Sequence, residues 1–207
     1  MSEVFIAGVG MTSFGRQLDR SLKALSADAC AQAFADAGCG PANIEAVFFG
    51  NCVQGHMEGQ DMIRGEIIAR AIGIHGVPVV NVENACATAS TALHMANAYV
   101  RSGAADIVLA IGAEKMCSPD KALMFSAFDG AWDVHETARN RDILLAMGQG
   151  VAVPDGSVSA QPYSVFMDIY AAMSRAHMKT YGSTQAQIAA VSAKNHGHSV
   201  GNPLAQY

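Results

Sequence analysis

The chain has 207 residues, of which 51% are hydrophobic and 15% charged, and its formal net charge is −5. This is the composition of a protein with a buried core, and the length suits one or two domains. The acidic balance and the absence of any basic block exclude a nucleic-acid footprint and an anionic-membrane surface.

No apolar run approaches the length of a membrane-spanning helix. The opening "MSEVFIAGVG" places Glu3 ahead of a short apolar run and reads as a strand, not a signal peptide. The ending "PLAQY" carries no retention or peroxisomal tripeptide, so a cytoplasmic location is expected. The five cysteines, Cys30, Cys39, Cys52, Cys86 and Cys117, are odd in number and include no CxxC pair. Neither a zinc site nor a disulfide framework is favoured, and free thiols are expected in a reducing compartment.

In chain order, "VFIAGVG" (4–10) reads as a first strand. Residues 21–37 place Leu22, Leu25, Ala29, Ala33 and Phe34 on one helical face, with Gly38, Gly40 and Pro41 as stop signals. "IEAVFFG" (44–50) is a second strand, 60–73 a second helix, and "VPVVNV" (77–82) a third, β-branched strand. A third helix spans 86–102, and "DIVLAIG" (106–112) is a fourth, continuously apolar strand. Alternating continuous apolar strands and helices argue for an α/β fold with a mostly parallel sheet flanked by helices. After Gly112 the pattern changes. Residues 113–160 have little period, with helical content near 120–127 and 136–147, and two helices follow at 162–181 and 184–196.

Three motifs resemble sites without the context a site needs. "GHSVG" (197–201) has the spacing of a nucleophile elbow around Ser199, but a helix precedes it where a strand is required. "GVGMTSFG" (8–15) lacks dinucleotide-fingerprint spacing and reads as a turn. "HETAR" (135–139) puts Arg139 where a zinc helix would carry its second histidine. His94 reads as a hydrogen-bonded packing residue of the third helix, and His196 and His198 as helix-end cations.

Cys86, in "VENACATAS" (82–90), is different. It lies where the third strand ends and the third helix begins. A thiolate there meets unsatisfied N–H groups and the positive end of the helix dipole, which favours its formation. Ala85, Ala87, Ala89 and Ser90 around it are small enough for a close turn and an approaching ligand. Two readings stand on these residues alone: a nucleophile, or a small buried thiol in a tightly packed helix start. Cys52 and Cys117 also follow strands but open no comparable helix, and Cys30 and Cys39 read as core or helix-end fillers.

Four stretches resemble the thiolase superfamily. "GNCVQGHMEGQDMIR" (50–64) is similar to its Gly-Gln-x-x-x-Arg helix entry. "PVVNVENACATASTALHMANAYVRSGAADIVLAIGAEKM" (78–116) is similar to its nucleophile strand, nucleophile helix and the following strand, ending in Gly-x-Glu-x-Met. "GVGMTSFGR" (8–16) resembles the opening strand and turn. "YGSTQAQIAAVSAKNHGHSVGNPLAQY" (181–207) resembles the sterol-carrier and lipid-transfer branch. Thr88 and Ala89 stand where the family more often has Ser and Gly.

The resemblance implies a layered fold of two similar βαβαβαββ halves with a loop domain inserted in the first. Residues 1–112 would be the N-terminal core and 113–207 a truncated loop domain. The last strand of the first half and the whole second half, which carries the family's acid–base cysteine and its His and Asn motifs, have no match in this sequence. The family nucleophile maps onto Cys86. Its thiolate would attack the 3-keto carbon of a 3-oxoacyl-CoA, and coenzyme A would then take the acyl group from the Cys86 thioester. Coenzyme A and acyl-CoA enter as substrates and no cofactor is tightly bound. Alone, this chain is expected to be inactive, because its acid–base groups would come from a C-terminal half or a partner. The alternatives are an aldolase-type member cleaving a β-hydroxyacyl-CoA side chain, and a noncatalytic assembly subunit. The resemblance also implies self-association through residues 78–102 and, in this branch, an OB-fold zinc-ribbon partner.

Overall fold

The structure, a computed structural model, describes residues 3–161 and 163–207. The chain divides into two compact units, the first running to Pro119 and the second from Asp120 to Ala205.

The first unit is built on a parallel sheet of β1 (Ala46–Gly50), β2 (Val79–Val82) and β3 (Val108–Gly112), in the order β2-β1-β3. Gly50 lies opposite both Val82 and Gly112, so the three strands end level with one another. β1 is central, and all five of its residues are buried. Its side chains alternate between the two faces, as strand geometry requires. Val47 and Phe49 join Leu22, Cys30, Ile68 and Ile111 on one face, against α1 (Leu22–Ala37) and α3 (Arg64–Ala71). Ala46 and Phe48 join Val82, Ala92 and Ala96 on the other, against α4 (Thr88–Arg101). Phe48 meets Tyr99 of α4 edge-on, at 5.5 Å between ring centroids.

Local chemistry sets the helix ends. The Ser21 hydroxyl accepts the Ala24 N–H at 3.2 Å and caps α1, and Gly38, at φ 63°, closes it in the left-handed region that glycine adopts freely. α3 sits hard on the sheet because its second residue is glycine: a Cβ on Gly65 would lie 2.8 Å from the Phe49 Cβ. Asn81 fixes that end, accepting the Gly65 N–H at 2.6 Å and donating to Glu66 at 2.7 Å.

Four sequence expectations are corrected in this unit. Residues 4–10 form no strand. A strand needs a partner, and this segment instead directs its hydrogen bonds at α1. The Val9 N–H donates to the Asp36 carboxylate at 2.9 Å, and the Met11 N–H to Gln32 at 3.4 Å. Gly8 and Gly10 approach the α1 backbone so closely that a Cβ would fall 2.3 Å from the Ala33 carbonyl oxygen or 1.9 Å from that of Ala29. The helix expected at 60–73 is confined to α3, entered through Ile63 at φ 51°, and a short helix that was not expected, α2 (Gln54–Glu58), precedes it and closes at Gly59, at φ 76°. The helix expected at 86–102 starts at Thr88, because residues 85–87 are a single 3-10 turn entered through Ala85 at φ 45°. On it, His94 is exposed and is not the packing residue expected.

Cys30 carries a stability prediction. Burial pushes its thiol from 9.0 up to about 11. Above about 9 the unfolded chain loses a proton that the native state keeps, so this contribution to stability is whole below pH 9 and is lost as pH rises toward 11. The urea midpoint of the first unit should fall across that window, and Cys30→Ala should flatten the fall, as read by chemical unfolding at stepped pH.

The second unit is helical: α5 (Lys121–Ser126), α6 (Thr137–Ala146), α7 (Val165–Tyr181) and α8 (Gln185–Ser199). α6 packs on α7, and Phe166 stacks on Trp132 at 4.7 Å and meets Phe128 at 5.9 Å. A reciprocal cap between Thr184 and Gln187 opens α8. Pro162, where the helix at 162–181 was expected to begin, lies outside the described residues. Among the described residues, no helix is long and apolar enough to cross a membrane.

Candidate active site

The level strand ends make a shelf. Each strand hands over there to a short polar segment: Asn51–Cys52 after β1, Glu83–Asn84–Ala85–Cys86 after β2, and Ala113–Glu114 after β3. The carboxyl ends of parallel strands are where α/β folds place their ligands, most often where the strand order reverses.

Glu114 and Asn51 tie the shelf together. The Glu114 carboxylate accepts the Cys52 N–H at 2.8 Å, the Val53 N–H at 3.3 Å and the Asn51 amide at 3.0 Å. Asn51 also donates to the Ala113 carbonyl at 2.8 Å. Its own Oδ1 accepts the Gln54 N–H at 3.0 Å and the Arg64 guanidinium at 2.8 Å. One buried amide thus joins β1, β3, the start of α2 and the start of α3.

Cys86 is exposed and lies in the 3-10 turn directly before α4. The buried alternative for this thiol is therefore corrected: its small neighbours leave it open to solvent. Thr88 laces the turn, accepting the Asn84 N–H at 2.8 Å and donating to the Ala85 carbonyl at 2.7 Å, while the Asn84 carbonyl accepts the Ala87 N–H at 2.9 Å. Two glycines let the helix start settle on the strand ends. A Cβ on Gly50 would lie 2.9 Å from Thr88 Cγ2, and one on Gly112 would lie 2.4 Å from the Ala89 Cβ.

Cys52 belongs to the same shelf. Its thiol donates to Glu83 Oε1 at 3.5 Å. Its titration is pushed up to about 11, first by burial, then by the hydrogen bond to Glu83 and by the charges of Glu83, Glu114 and Cys86. Cys52 therefore remains protonated at neutral pH, beside the exposed Cys86. Sequence reasoning set Cys52 aside because no comparable helix starts on it, passed over Asn51 and Glu83, and carried Glu114 only within a family motif. The available signal was topological: all of them follow predicted strands of one parallel sheet.

Ser199 and the "HETAR" segment belong to the second unit. The Ser199 hydroxyl lies at the end of α8, within hydrogen-bond reach of two carbonyls that share its single proton, His196 at 2.8 Å and Tyr207 at 2.5 Å. Within "HETAR", Arg139 pairs with Glu136 at 2.6 Å on the surface. Cys30 is buried, and Cys39 and Cys117 are half-buried. Among the described residues, no group of three His, Cys, Asp or Glu side chains is placed to hold a metal ion.

A parallel sheet clad by helices on both faces, with an exposed cysteine at the start of the helix that crosses it, defines a class. The family model described as "Thiolase, N-terminal domain" matches residues 4–207, and the chain belongs to the thiolase family. Among its relatives, sterol carrier protein 2 of Gallus gallus is 33% identical over 99% of this chain and 34% of its own length. Sterol carrier protein 2 of Homo sapiens is 34% identical over 100% of this chain and 35% of its own. An acetyl-CoA acetyltransferase of Methanothermobacter thermautotrophicus is 34% identical over 100% of this chain and 48% of its own. The chain thus spans between about a third and a half of these relatives' length.

Proposed function

We propose that this chain carries the nucleophile of a thiolase-type acyl transfer between a 3-oxoacyl-CoA and coenzyme A, and that Cys86 is that nucleophile. The observation that carries the reading is the exposed cysteine in the turn opening α4, in a chain of the thiolase family. A relative named acetyl-CoA acetyltransferase supports the acyl group and its carrier.

The Cys86 thiolate adds to the 3-keto carbon, and the C2–C3 bond breaks. The departing acyl-CoA leaves as an enolate that takes a proton, and the acyl group stays on sulfur as a thioester. Coenzyme A then attacks that thioester and frees Cys86. In a single turnover solvent supplies the enolate's proton, whereas activation of the coenzyme A thiol for the second half-reaction needs an acid–base group, which a further thiolase half or a partner chain supplies. Alone, the 207-residue chain stops at the acyl-enzyme.

In this reading residues 1–112 form the nucleophile core and 113–207 the loop-domain insertion. Residues 78–102 form a self-association surface, where α4 leaves Leu93 51% exposed. An OB-fold zinc-ribbon protein is a further partner, and the cytoplasm is the location.

The test is the intact mass of the protein after brief incubation with acetoacetyl-CoA at neutral pH. Wild type should gain one acetyl group, and Cys86→Ala none. An unmodified wild type, or an adduct that persists in Cys86→Ala, overturns the reading and leaves the aldolase-type or assembly subunit.

A further inference from the structure

Glu83 stands three residues before Cys86 and makes two contacts from one oxygen. Its Oε1 accepts the Ala85 N–H at 2.6 Å and the Cys52 thiol at 3.5 Å. Ala85 is held at φ 45°, a left-handed conformation that a residue with a Cβ adopts at a cost and keeps only where its surroundings enforce it. Beyond Thr88, which closes the turn from its helical side, Glu83 is the group that closes it from the strand side.

We propose that Glu83 is a positioning residue for Cys86: its carboxylate clamps the Ala85 N–H, so holding the left-handed turn that presents Cys86, and with the same oxygen accepts the Cys52 thiol. The proposal rests on the reading of Cys86 as the nucleophile. It gives the shelf a division of labour. Cys52 and Cys86 both belong to it, near enough for their charges to interact, and a single carboxylate, aimed at the Cys52 sulfur, leaves Cys86 as the reactive group. The charged groups around Cys52 are Glu83 and Glu114, with the Arg64 guanidinium 3.5 Å from the Cys52 carbonyl and the Cys86 sulfur nearby. Of these, only Glu83 hydrogen-bonds the Cys52 sulfur itself, while Glu114 is occupied with backbone N–H groups.

Two substitutions in the full chain separate the roles. Glu83 is exposed, so neither opens the core. Glu83→Gln keeps an oxygen for the Ala85 N–H and removes the charge, whereas Glu83→Ala removes both. In Glu83→Ala, amide hydrogen exchange at Ala85 should quicken about tenfold, and acetylation of Cys86 by acetoacetyl-CoA should slow about tenfold, each equivalent to a loosening of about 1.4 kcal/mol. Glu83→Gln should restore both. Alkylation of Cys52 by iodoacetamide, followed from pH 8 to 11 by peptide mass, should shift to lower pH in both variants, with a rate at pH 9 about tenfold above wild type.

Wild-type exchange at Ala85 in Glu83→Ala, or a Cys52 pH profile unmoved in Glu83→Gln, overturns the proposal. Failure of the acyl-transfer reading looks different. Wild type would then take no acetyl group, while the exchange and Cys52 measurements would still decide whether the clamp exists.

Discussion

Asn51→Leu is expected to destabilise the first unit by about 3–5 kcal/mol, read as a lowered urea midpoint and as loss of exchange protection at the ends of β1 and β3. Leucine has the same branched skeleton and is somewhat bulkier, so no cavity contributes. The cost is polar. Asn51 is 2% exposed and makes four hydrogen bonds, two of them to charged partners, Arg64 and Glu114. Replacing it removes a partner from the half-buried Arg64 donor, Gln54 N–H and Ala113 carbonyl, and from the exposed Glu114 carboxylate. A partner removed from such a network costs about 1–3 kcal/mol for each group left unmet, more where the group is charged, and solvent reaching the rim of the shelf offsets part of the sum. A full set of surviving protection factors would show that Asn51 is incidental to the shelf.

The same network marks how far the sequence could be read. The three paired strands were legible because each is a short apolar or β-branched run bounded by turn signals. Each began two residues later than its apolar run: Ile44, Val77 and Asp106 precede β1, β2 and β3. Cys86 was legible because strand, small residues and helix follow one another within ten residues. The shelf around it was not. Asn51 and Glu114 lie 63 residues apart, and Cys52 and Glu83 lie 31 apart. They meet only because β1 is central, and no periodicity within a strand fixes its neighbours. The segment 4–10 shows the converse failure. Its apolar run suits a strand, yet Gly8 and Gly10 serve close approach to α1, leaving Phe5 and Ile6 more than 70% exposed. The family resemblance singled out Arg64 and Glu114 within motifs, and the structure adds what they hold: the amide of Asn51 and the backbone under Cys52.

Phe49→Ala should cost the first unit about 3–5 kcal/mol, a large share of the 5–15 kcal/mol by which native domains are stable. Phe49 is 1% exposed and lies among Leu22, Val47, Ile68, Ile74 and Ile111. Its neighbours cannot close the gap. Val47 and Ile111 are fixed by β1 and β3, and α3 already packs so closely at Gly65 that there is no room there even for a Cβ beside that of Phe49, so the helix has little further to fall. The lost contacts and the residual cavity therefore add. Cys30 offers an internal probe, because it is 3% exposed in the same cluster and reacts with iodoacetamide only when that cluster opens. In wild type its labelling should be slow until urea unfolds the unit; in Phe49→Ala it should proceed at a urea concentration well below that midpoint. A cluster held by sheet hydrogen bonds more than by packing would instead leave the Cys30 labelling profile where it stands in wild type.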